Sequence, residues 1–190
     1  NTLPEPVTAF AISTKFCLDL MKQQQADGHN VSLLWPGQMM SLHKNTYVKQ
    51  HRKYEDIGSF EVYNPTPISY DEGIVEIQEF IKPGDKRVYI NLLKELSIDI
   101  LHIHTLMGLH RSLLEAAKDL SIKIVFTAHD FFPICPKITM YRNKQICNAV
   151  SGCDKCPECN VSALSMTKIK ILQSKDGEIV ETDFVGETNQ

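Results

Sequence analysis

The sequence predicts an α/β fold built on a mostly parallel, doubly wound sheet, and three neighbouring segments carry that prediction. Residues 99–104 form an apolar run that ends in polar groups, residues 109–120 repeat apolar side chains at helical spacing, and residues 122–127 form a second apolar run leading into His129-Asp130. A strand, a crossover helix and a second strand make a βαβ unit, whose right-handed connection leaves the two strands parallel. With 190 residues the chain has enough surface to bury one core plus appended segments, and too little for two independent cores.

The remaining elements are read in chain order. Phe16, Leu20 and Met21 recur at helical spacing and Gly28 follows as a stop signal, so a helix is expected over about 11–27. Residues 31–35 are a short buried strand ended by Pro36-Gly37. Residues 38–56 are polar and without steady period, and are expected as a surface excursion; residues 59–63 alternate as a strand does. Pro65 and Pro67 interrupt the chain, residues 72–81 fit a short helix, and Val88, Ile90, Leu92, Leu93 and Leu96 give residues 86–96 a helical pattern. From Phe131 onward Pro, Cys and Gly replace the regular pattern. The expected organisation is an α/β domain over 1–134, a Cys-rich segment packed on it over 135–166, and a tail over 167–190 that holds a strand at 168–172 and then becomes mobile.

Composition excludes several classes. A formal charge of -3 gives no whole-chain attraction to nucleic acid, which is not expected as a partner. No stretch of about 18 apolar residues is present to span a bilayer. No G-x-G-x-x-G follows a strand, which argues against a dinucleotide oxidoreductase. Cys147, Cys153, Cys156 and Cys159 crowd into one segment instead of being dispersed as a disulfide framework is, which favours a reducing, cytoplasmic setting. The same four thiolates match the ligand number of a structural zinc, although iron-sulfur ligation or disulfide formation fits that spacing too.

Parallel α/β sheets bind ligands beyond the carboxyl ends of their strands, so His102, His104, His129 and Asp130 should gather along one rim. Two readings of that rim stay open on the residues alone. Imidazoles near neutral pH supply hydrogen bonds or protons, and two of them with a carboxylate also fit a metal that activates water, as in a hydrolase.

Three stretches then resemble bacterial family 4 glycosyltransferases: Asp-Ile-Leu-His-Ile-His at 99–104, Leu-Leu-Glu-Ala-Ala-Lys at 113–118, and Val-Phe-Thr-Ala-His-Asp-Phe-Phe-Pro-Ile-Cys-Pro at 125–136. Leu18-Asp19-Leu20, Gly28-His29 and residues 33–37 extend the likeness, which covers roughly 3–159. The resemblance implies the Rossmann-like, acceptor-side half of a GT-B fold. It implies a retaining hexosyltransferase of polysaccharide biosynthesis that moves a sugar from a nucleotide-sugar donor to a glycan or lipid-linked acceptor at the inner face of the membrane. A carboxyl-terminal donor domain is then the missing partner, without which this half is expected to be inactive. His129 is implied beside the transferring sugar, His104 near it, and Asp130 as a weaker third catalytic position. Phe131 and Phe132 read equally as lining of an acceptor groove or as core residues after a strand. Lys44, Lys49, His51, Arg52 and Lys53 are expected as a solvated loop, the alternative being a basic face toward an anionic acceptor or the membrane surface.

Two departures from the family pattern are expected to matter. The family's Gly-Gly loop before the first helix corresponds to Thr8, Ala9 and Phe10, where the backbone would meet substrate and Phe10 would obstruct it. The family's first strand is expected ahead of Asn1, so that residues 168–172 or a strand of another copy would fill a central gap in the sheet. A non-catalytic interaction domain with the same fold is the rival from a different class.

Overall fold

The computed structural model describes residues 7–10, 15–37, 45–66, 83–132, 134–135, 137–142, 144–148, 159, 163–165 and 167–168. Eight strands are described: β1 (Val7–Phe10), β2 (Val31–Pro36), β3 (Tyr47–Tyr54), β4 (Ile57–Tyr63), β5 (Ile100–Ile103), β6 (Lys123–Phe126), β7 (Tyr141–Arg142) and β8 (Gln145–Ile146). Three helices accompany them: α1 (Lys15–Ala26), α2 (Lys86–Glu95) and α3 (Arg111–Asp119). The main sheet runs β3-β4-β2-β1-β5-β6, with every pair parallel except β3 against β4. β7 and β8 form a separate two-stranded ribbon within the Cys-rich segment.

The βαβ unit is present as β5, α3 and β6, in a register that pairs Ile100 with Lys123 and Ile103 with Phe126. Asp85 starts α2, its carboxylate accepting from the Arg87 amide at 3.0 Å. Parity along the strands divides the apolar residues between the two faces of the sheet. Leu34, Phe60, Val62, Leu101 and Ile103 pack with Tyr89, Leu93, Leu113, Ala116 and Ala117 of α2 and α3, whereas Val31 and Ile57, of opposite parity, pack with Met21 of α1. Both faces are therefore covered, as parallel strands require.

Leu101 is 0% exposed at the centre of the larger cluster. Leu101→Ala is expected to lower unfolding free energy by about 3 kcal/mol, read as a fall in the urea midpoint at unchanged slope.

Two expectations are corrected. The central strand of the sheet is found within the chain. It is β1, whose Val7 pairs with both Val31 and Ile100, so the central position is filled and neither residues 168–172 nor another copy is needed there. Residues 38–56 are not wholly an excursion either, because β3 forms the antiparallel edge of the sheet. Its turn to β4 holds Glu55 at φ 46 and Asp56 at φ 67, and two positive-φ residues are what a twisted two-residue hairpin demands. The helix expected at 72–81 lies outside the described residues, as does the strand at 168–172 apart from Lys168.

Candidate functional site

The rim at the carboxyl ends of β5 and β6 is built by strand parity. Leu101 and Ile103 point into the α2/α3 core, so His102 and His104 must project from the other face, where α1 lies. Their rings are 4.1 Å apart between centroids. His129 follows β6 and meets them: His104 Nδ1 and His129 Nε2 are hydrogen-bonded at 3.0 Å, with ring centroids 5.3 Å apart. His102 turns instead to Thr127, its Nε2 bonded to the hydroxyl Oγ1 at 2.8 Å.

The rim is closed from above by α1. Phe16, 54% exposed, presents its ring edge-on to His129 at 5.6 Å and to His104 at 6.2 Å. The next residue, Cys17, is buried, and its Sγ lies within 4.8 Å of ring nitrogens of both His104 and His129. Neither Phe16 nor Cys17 was marked by the sequence pattern beyond the helical spacing of Phe16, because their approach to the rim depends on how α1 is set against the sheet.

Burial favours the neutral form of the two histidines that β5 carries to the rim. His104 is 3% exposed, and burial, assisted by the neighbouring His102 and His129, pushes its pKa down to about 4. Burial and the nearby His129 also hold His102 below the ordinary histidine value. At neutral pH His104 therefore has one proton for two ring nitrogens, and its Nε2 is buried with no hydrogen-bond partner among the described residues.

The other expected site residues fall in varied places. One Asp130 carboxylate oxygen accepts from the Phe132 amide at 2.8 Å, folding the chain back after β6. Phe131 is 51% exposed beside the rim, while Phe132 is 3% exposed and packs on Met107, so of the two only Phe131 is available to line a groove. Thr8 and Ala9 are inside β1, with Ala9 opposite His102 in the register. Ala9-Phe10 is thus strand and not the loop preceding α1, which corrects the expected position of that departure. Of the basic group, His51 pairs with Glu61 at 2.8 Å and Lys49 stands 5.8 Å over the Tyr63 ring; Arg52 and Lys53 are exposed on β3, and Lys44 lies outside the described residues. Cys147 and Cys159 are half-buried free thiols, whereas Cys153 and Cys156 lie outside the described residues. No described helix is long and apolar enough to cross a membrane.

A parallel sheet whose order reverses at β1, with polar groups convergent at the adjoining strand ends, defines a Rossmann-like ligand-binding domain. The chain belongs to Glycosyltransferase Family 4, whose family model matches residues 13–153, well over half its length. Its function is accordingly of the glycosyltransferase type, acting in general on a nucleotide-sugar and an acceptor. No curated protein and no solved structure matches it.

Proposed function

We propose that this chain is the acceptor-side half of a retaining glycosyltransferase, of hexosyltransferase type, completed by a donor-binding half and working on a glycan or lipid-linked acceptor at the cytoplasmic face of a membrane. The observation that carries the reading is the hydrogen-bonded His104–His129 pair at the ends of two parallel strands, held under Phe16. His104 stays neutral through burial. When its Nδ1 donates to His129 Nε2, the remaining His129 nitrogen, Nδ1, carries the proton and becomes a donor toward the open rim.

In the transfer, the bond between the sugar anomeric carbon and the departing phosphate oxygen breaks while a bond to the acceptor oxygen forms on the same face. The acceptor proton passes to the leaving phosphate oxygen. The transition state resembles an oxocarbenium ion, and His129 contributes a positioned hydrogen bond to it and not a general base. His104 acts through His129 as a positioning residue. Phe16 and Phe131 exclude water from the rim, and Asp130 fixes the turn that carries Phe131. The Cys147, Cys153, Cys156 and Cys159 spacing supports a structural zinc that ties down the segment after the rim.

Nuclear magnetic resonance of the product formed by the intact enzyme tests the stereochemistry. The new linkage is expected to keep the anomeric configuration of the donor, and inversion would overturn the same-face mechanism.

A further inference from the structure

We infer that Cys17, His104 and His129 form a binding site for one divalent transition ion of the zinc class, with a fourth position open at the rim. The site joins three elements: Cys17 from the first turn of α1, His104 from the end of β5, and His129 from beyond β6. One ligating atom from each residue lies within 4.8 Å of the other two. In a tetrahedral zinc site, metal–ligand bonds of about 2.0–2.3 Å put the ligand atoms roughly 3.3–3.7 Å from one another. The His104 and His129 nitrogens already face each other at 3.0 Å. His129 is exposed on its solvent side, so its ring can turn to widen that pair by the few tenths of an ångström needed, while the Cys17 Sγ, within 4.8 Å of the nitrogens, closes a gap of up to about 1 Å by a small shift of the first turn of α1.

The chemistry of the donor set selects the ion. One thiolate and two imidazoles suit zinc, cobalt or copper, and have little to offer magnesium or calcium, which take oxygen ligands. A single proton lies between the two facing nitrogens, and an ion in its place is held by both lone pairs. That imidazole proton moves to the other nitrogen of its ring. The Cys17 thiol releases its proton to solvent, so one ion enters and one proton leaves. Three protein ligands leave the fourth coordination position for water or a small anion, as open zinc sites do. This set differs from the one suggested by sequence spacing, since His102 is bonded to Thr127 and Asp130 to the Phe132 amide. An ion held here also engages the nitrogen through which His104 orients His129.

Cobalt titration tests the assignment, because a thiolate ligand gives a near-ultraviolet charge-transfer band and tetrahedral coordination gives intense visible bands. The full-length chain carrying Cys147→Ser, Cys153→Ser, Cys156→Ser and Cys159→Ser serves as the parent, which removes the other four-thiolate set. One equivalent of cobalt is expected to bind with both signals, to be displaced by zinc, and to be unaffected by excess magnesium. Adding Cys17→Ser should abolish the charge-transfer band, and adding His129→Ala should weaken cobalt binding at least tenfold. A band that persists in Cys17→Ser, or the absence of cobalt binding in the parent, would overturn the site. Cys17 is buried and its replacement risks the fold, whereas His129 is exposed; unchanged cobalt affinity in a folded His129→Ala protein is then sufficient to overturn it.

Discussion

His129→Ala in the intact enzyme is expected to lower kcat for sugar transfer by about 10²–10³, a loss of roughly 3–4 kcal/mol of transition-state stabilisation. The argument rests on where the ring is held. His129 leaves the end of β6 and is fixed by His104 at 3.0 Å and by the edge of Phe16, so its outward nitrogen is placed before substrate arrives. A donor positioned in advance needs no reorganisation when charge develops, and its removal acts on kcat more than on KM. His129→Gln restores one N–H donor without the imidazole and is expected to recover part of the rate. Steady-state kinetics at saturating donor and acceptor measure both variants. Transfer unchanged in His129→Ala would remove the residue from the chemistry.

Acid is expected to destabilise the fold by about 4–5 kcal/mol between pH 6.5 and 4, with most of the loss due to two buried histidines. His104 is one. The other is His110, 8% exposed at the start of α3, where its Nδ1 is bonded to the Tyr89 hydroxyl at 2.8 Å; burial pushes its pKa down to about 4. Burial also raises the pKa of the Tyr89 hydroxyl, which stays protonated throughout this range. Both histidines are neutral in the folded chain and titrate near 6.5 once unfolded, so between those values the unfolded state holds more protons. Their contribution is complete above about pH 6.5 and disappears as pH falls to about 4. Urea midpoints at pH 7, 5.5 and 4.5 should therefore decline together with the unfolding free energy. His110→Gln should flatten about half of that slope, and a midpoint independent of pH across this range would refute the assignment.

The βαβ unit was legible because its signal is local. The apolar run at residues 100–103 and helical spacing from Leu113 to Ala117 survive any choice of partner, and the two strand ends then place His104 and His129 side by side. β1 was not legible in the same way. Four residues after a Pro-bearing start carry little periodicity, and what makes them central is their register with Val31 and Ile100, far along the chain. β3 escaped because an edge strand facing solvent can be polar throughout, and its Glu55-Asp56 turn lacks the glycine that usually marks a tight hairpin. At the rim, the histidines were visible from strand ends, while Cys17 carried no mark beyond its place in the expected helix. Its proximity to them follows from the docking of α1, which periodicity does not encode.

The place of β1 has a kinetic consequence. Its contact with β5 joins residues about ninety positions apart, a closure that carries a large entropy cost and is rewarded only after both partners exist. β5, α3 and β6 are close in sequence and are expected to assemble first. Until β1 inserts, the facing edges of β2 and β5 remain unpaired, and a newly synthesised chain is most prone to aggregation in that interval. The strand that completes the sheet is thus expected to set the pace at which the rim becomes usable.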